Sequence, residues 1–164
     1  MKHVLLILVF ISSVLSLECY SQDYSEEAKA HFGQYLDSKS QTEMIVKSLP
    51  SLEDCKLIFQ DKSAYTFYGF VEEMKSSLPD DESNENEVFA DCRIETFTTY
   101  DIKDNKGNYA GGMKEIVDQI QPNVTFYRVT YLREKDAEAG VSYNYFVNIK
   151  GNWVFIPKPW RVLR

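Results

Sequence analysis

The chain has 164 residues and carries 18 Lys+Arg against 25 Asp+Glu, a formal net charge of -7. An acidic field repels phosphate, so neither a nucleic-acid partner nor an anionic membrane surface is expected. The aromatic share of 14% speaks for a well-filled core, and the length suits one domain.

The start reads as a secretory signal. MKH supplies a short basic start, and VLLILVFISSVL follows as an apolar run of twelve. Spanning a bilayer takes about 20 apolar residues, so the run suits the apolar centre of a signal better than an anchor. Cys19 and Ser21 fill the two small positions before a cut, which places cleavage before Gln22. The expected organisation is a signal peptide over 1–21 and a single domain over 22–164. The mature chain is then exported to the periplasm or extracellular space and keeps no transmembrane anchor. A lipoprotein signal built on Cys19 is disfavoured, because Glu18 stands where such signals want a small residue.

Helical spacing follows. Over 25–38, Ser25 can cap, Glu26 and Glu27 suit a first turn, and Ala28, Phe32, Tyr35 and Leu36 share a face. A short helix begins after Pro50, with Ser51 as cap, Asp54 three residues on, and Leu52, Cys55, Ile58 and Phe59 as its apolar stripe. A third runs over 62–77, where Ala64, Phe67, Tyr68, Val71, Met74 and Leu78 recur as a core stripe. Pro79 stops it. The acidic run 80–87 fits no calcium-loop spacing and reads as a solvated loop.

The period then becomes two. Cys92, Ile94, Thr96, Thr98, Tyr100 and Ile102 fall on one side of an expected strand, with Arg93, Glu95 and Asp101 opposite. A turn at 104–108 and Gly111–Gly112 lead to a short helix with Met113, Ile116, Val117 and Ile120 on its face, ended by Pro122. Strands are expected over 124–133 and 141–149. Helices first and antiparallel strands afterwards give an α+β class, with N-terminal helices packed on one face of a curved, mostly antiparallel sheet.

The last stretch is FVNIKGNWVFIPKPW. Lys150 and Gly151 suit a two-residue hairpin loop that pairs Ile149 with Asn152, Val147 with Val154 and Tyr145 with Ile156. That register puts Tyr143, Tyr145, Val147, Val154 and Ile156 on a core face, and Phe146, Trp153 and Phe155 on the other. Pro157 and Pro159 cannot continue a ladder, so the chain end is an edge or leaves the sheet. The second aromatic face needs a cover: a loop, a second copy of the chain, or a ligand. Phe146, Trp153, Phe155 and Trp160 are thus the candidate ligand- or partner-binding residues.

The element order, together with GNWVFIPKPW as a terminal hairpin, resembles the nuclear transport factor 2-like superfamily, also called cystatin-like in the broad sense. The resemblance implies a cone-shaped sheet wrapped around helices, a pocket at the open end in many members, and frequent sheet-mediated dimers. Its enzymes map no catalytic residue onto a numbered position here.

The remaining chemistry is sparse. His3 leaves with the signal and His31 stands alone, so a histidine metal cluster or a nucleophile–His–acid arrangement is not expected. Cys55 and Cys92 form an even pair in an exported chain, which suggests a disulfide closing about 37 residues; two separate buried thiols are the alternative. Gly111 and Gly112 lack the spacing of a phosphate loop. The NVT at 123–125 fits a glycan acceptor, but the bacterial style of the signal argues against its use. A buried carboxylate base, Glu95 or Asp101, leaves a lyase or isomerase as the alternative function. The expectation is a non-catalytic exported domain without a cofactor or metal, which binds an apolar small molecule or a protein. A structural homodimer is the third possibility.

Overall fold

The computed structural model describes residues 24–77 and 86–164. The signal segment, Cys19, Leu78, Pro79 and residues 80–85 of the acidic run lie outside them. Helices α1 (Ser25–Phe32), α2 (Ser38–Lys47), α3 (Leu52–Ile58) and α4 (Asp61–Ser77) come first. Strand β1 (Asp91–Thr98), short helices α5 (Thr99–Lys103) and α6 (Gly111–Glu115), and strands β2 (Thr125–Leu132), β3 (Val141–Ile149) and β4 (Asn152–Phe155) follow. The four strands pair antiparallel in the order β1-β2-β3-β4. The class is α+β, and the sheet is neither closed nor strongly curled.

Local signals explain most of these elements. Ser51 and Asp54 form a reciprocal capping box at the start of α3. Thr98 and Asp101 form another: the Thr98 N–H donates to Asp101 Oδ2 at 2.7 Å, and the Asp101 N–H to Thr98 Oγ1 at 3.1 Å. That box ends β1 at Thr98 and starts α5, so 99–102 coil instead of extending as the alternation suggested. Ile102 still reaches the core, from a helix. The helix expected over 25–38 stops at Phe32. Asp37, whose carboxylate accepts from the Ser40 N–H at 3.0 Å, caps the separate helix α2.

The helices cover both faces of the sheet, not one. Successive residues of the strands go to opposite sides. Phe126, Tyr145, Val147, Val154 and Ile156 join α3–α6 in one apolar cluster, with Phe59, Phe67 and Phe97. Tyr127, Phe146 and Phe155 join Ala28, Phe32 and Met44 of α1 and α2 in the other. The near-continuous burial along β2 is the mark of a strand hidden on both sides.

The terminal hairpin has the expected register: Ile149 faces Asn152 and Val147 faces Val154. Tyr145 and Ile156 exchange both backbone hydrogen bonds, at 3.1 and 2.7 Å. Lys150 and Gly151 both take positive φ, at 52° and 89°, the requirement of a tight two-residue loop. Tyr143 departs from the expected face. Tyr127 faces Phe146 while Arg128 faces Asn144, so Tyr145 is an extra residue and Tyr143 falls beside Phe146. After Ile156 the chain leaves the sheet through Pro157, and Pro159 opens a short 3-10 turn, Pro159–Arg161. Trp160 then lies on Gly112, where an added Cβ would sit 2.3 Å from its Cγ.

Cys55 and Cys92 are free thiols, buried on opposite sides of the sheet, so the expected pairing is not made. Cys55 belongs to the cluster on one side of the sheet and the Cys92 side chain to the cluster on the other, so the two thiols are not directed at one another. Burial, with Asp54 adding to it, pushes the Cys55 thiol up to about 12, and burial raises Cys92 as well. Thiolate is therefore scarce at both sites. In the native protein, a thiol reagent is expected to leave both cysteines unlabelled over hours and to label both promptly in denaturant. Prompt native labelling of either one contradicts its placement in the core.

Candidate binding cleft

The covering of the second aromatic face leaves a shallow opening at its rim, between α1, α2 and the terminal hairpin. Along α1, Ala28 and Phe32 are four apart and point into the sheet, which sets His31 at the edge of that stripe. The chain then turns through Gly33, and Tyr35 comes to lie beside His31, with ring centroids 5.4 Å apart. Helix α2 brings Glu43, Met44 and Lys47, and the β3–β4 hairpin brings Trp153. Together they enclose a cleft of about 250 Å³.

Trp153 is half-buried, and its indole is held from inside. The Tyr127 ring meets it edge-on at 4.9 Å and 85°, and Phe32 lies 5.2 Å away. On the cleft side the His31 imidazole runs near-parallel to it, at 6.0 Å and 26°. Desolvation lowers the His31 pKa below its ordinary value of 6.5, so the ring is neutral at neutral pH. A neutral imidazole offers one donor and one acceptor. Glu43 and Lys47 form an exposed ion pair at 3.8 Å on the rim, of the kind that contributes little to stability.

The four aromatics singled out in the sequence do not converge. Phe146 is fully buried and Phe155 is 9% exposed, both against α1 and α2. Trp160 packs on the other side of the sheet, over α6. Trp153 alone reaches the cleft. The two carboxylates considered as bases hold local structure. Asp101 caps α5, and Glu95 accepts from Asn108 Nδ2 at 2.9 Å and stands 3.6 Å from Arg128.

Sequence reasoning missed the contribution of α2 to the cleft, because 38–43 is a polar run. The signal that could have found it is Asp37 as a cap, with Gln41 and Met44 three apart behind it. Gln41 is fully buried yet polar. Its amide donates to the Tyr35 carbonyl at 3.0 Å and accepts from the Tyr143 hydroxyl at 3.1 Å. This bond network ties α2 both to the Tyr35 turn and to β3, and so fixes one wall of the cleft.

Among the described residues, no group of three His, Cys, Asp or Glu side chains could hold a metal ion. No helix among them is long and apolar enough to cross a membrane. Compared with known proteins, the chain matches no family model, no curated protein and no solved structure.

Proposed function

We propose that the protein is an exported, non-catalytic binding domain that takes an apolar ring, from a small molecule or a partner's side chain, against Trp153. Export rests on the basic start and the apolar run of twelve. The observation that carries the binding reading is a half-buried indole anchored edge-on from within and facing a cleft beside a neutral imidazole. Rings gain most from offset or edge-on contact with other rings, and Trp is the residue most enriched at binding hot spots. The cleft is smaller than the ~300–1,000 Å³ of sites for drug-sized ligands, so it suits a single ring. The nuclear transport factor 2-like resemblance enters through element order alone. A cone pocket needs a sheet curled around its helices, so the reading places binding at this outer cleft instead.

Backbone amide shifts on titration with p-cresol test the proposal. Saturable shifts are expected at Tyr35, Met44 and Trp153. Trp153→Ala is expected to weaken the binding about thirtyfold, the ~2 kcal/mol of a hot-spot ring. Its cost to the fold is expected to be only about 1–2 kcal/mol, since half the ring is outside the core. Shifts that map elsewhere, or that survive in Trp153→Ala, contradict the proposal.

A further inference from the structure

The two edges of the sheet are closed differently. On β4 the outward N–H of Phe155 donates to the Ser48 carbonyl at 2.7 Å, and Pro157 and Pro159 follow. On β1 the even-numbered residues face outward, and the chain's own side chains seal the two ends. The Cys92 N–H donates to Asp91 Oδ1 at 2.8 Å, and its carbonyl accepts from Lys29 Nζ. At the other end the Thr98 N–H donates to Asp101. Between them Ile94 and Thr96 each present an N–H and a C=O to the outside, by the alternation of an antiparallel strand. No described residue pairs with these groups. A cleft of about 620 Å³ opens at the Asp91 end of β1, lined also by Lys29 of α1 and by Leu132, with Ile94 in its wall.

We propose that this two-residue window pairs with the same window of a second copy of the chain, antiparallel across a twofold axis, giving a continuous eight-stranded sheet. The window dictates its own register. A ladder needs both strands open at the paired residues. Only one alignment uses every open group: Ile94 against Thr96 of the second copy, and Thr96 against its Ile94. That alignment makes four backbone hydrogen bonds. Shifting by two residues in either direction leaves only one self-pair of open residues, because the neighbouring positions are already sealed.

The charges agree with this alignment. Arg93 donates to the Ala137 and Glu138 carbonyls, at 3.3 and 3.0 Å, and makes no ion pair with a carboxylate among the described residues. Across the twofold it stands diagonal to Glu95 of the second copy, within reach of a long side chain. The two Glu95 carboxylates face one another directly. Each has Arg128 of its own copy behind it at 3.6 Å and Arg93 of the other copy diagonal to it, so two acids lie among four guanidinium groups. The window is short, so the association is weak and reversible. The inference does not depend on the Trp153 cleft.

Sedimentation velocity from micromolar to millimolar protein tests it, together with amide exchange at the same concentrations. A reversible monomer–dimer equilibrium is expected, with exchange at Ile94 and Thr96 slowing as concentration rises. Thr96→Pro removes an outward N–H that the sheet does not use, so its thermal midpoint is expected to stay near that of the wild type while its dissociation constant rises at least tenfold. Arg93→Glu is expected to raise it similarly, and serves as the test if the proline variant fails to fold. A protein that stays monomeric at millimolar concentration overturns the proposal. So does a dimer in which both variants associate normally, or in which exchange at Ile94 and Thr96 ignores concentration.

Discussion

Phe146→Ala is expected to destabilise the protein by about 3–5 kcal/mol, the cost of emptying a fully buried phenylalanine site. Phe146 has no exposed surface and packs its ring 4.5 Å from Phe32 and 5.0 Å from Phe155. Phe32 comes from α1 and Phe155 from β4, so the cavity would lie where a helix, the sheet centre and the terminal strand meet. None of these walls can collapse inward without opening another contact. The size of the loss follows from Phe146 being core, not a surface waiting for a partner. An exposed binding ring would give less than about 1 kcal/mol on truncation, as surface positions do. Urea unfolding of Phe146→Ala beside Trp153→Ala measures the difference. The expected result is a much lower midpoint for the first and a small change for the second. Equal, small changes in both would return Phe146 to the list of binding residues.

Tyr145→Ala is expected to cost a similar amount, about 3–5 kcal/mol, on the opposite side of the sheet. Tyr145 is fully buried, with Phe97 edge-on at 4.8 Å and 81° and Phe126 at 6.0 Å. Its hydroxyl accepts from the Ala110 N–H at 2.7 Å and from Arg128 at 3.3 Å, and the Arg128 guanidinium sits 5.7 Å over its ring. Arg128 keeps a second partner in Asn144, whose Oδ1 accepts from Nε at 3.0 Å. Tyr145→Phe separates the two contributions. It keeps the ring and leaves the Ala110 N–H without its acceptor, for an expected loss of about 1–2 kcal/mol. Chemical denaturation of both variants should therefore rank alanine well below phenylalanine. If the two lose the same amount, the hydroxyl outweighs the ring packing. If neither loses more than about 1 kcal/mol, Tyr145 is not a core residue.

What could be read in the sequence was local. Ser51 and Asp54 sit at capping-box spacing, the stripe of α4 repeats at helical period, and Lys150–Gly151 between alternating apolar runs fixes a hairpin register. Each of these signals is complete within a few residues, and each was legible. The end of β1 was legible in principle, since Thr98 and Asp101 repeat the Ser51–Asp54 spacing. The alternation from Cys92 to Ile102 masked it, because Ile102 is apolar and falls in phase with the strand. Helix α2 was hidden for a different reason. Its buried Gln41 is satisfied by the Tyr35 carbonyl and the Tyr143 hydroxyl, the second of them 102 residues away, and no local pattern announces such partners.

The candidate site was legible only in part, for the same non-local reason. Alternation put Phe146, Trp153 and Phe155 on one face, and the structure keeps them together. Which of the three stays accessible depends on where α1 and α2 settle, and that depends on contacts across the whole chain. The extra residue at Tyr145 shifts Tyr143 to the same side, and strand pairing alone reveals it. The pair of cysteines left in the expected mature chain suggested a bridge, but parity carries no information about which side of the sheet each thiol faces.

The cover over the second aromatic face is the feature on which the core assignments and the Trp153 cleft both depend. It is tested most directly by proton–proton cross-relaxation between assigned aromatic rings in solution. Phe32 of α1 lies 4.5 Å from Phe146 and 5.2 Å from Trp153 by ring centroids. Strong cross-peaks are expected from the Phe32 ring to both. A Phe32 ring with no cross-peak to either, beside a Phe146 ring broadened by a water-borne relaxation agent, would mean that α1 does not lie on the sheet.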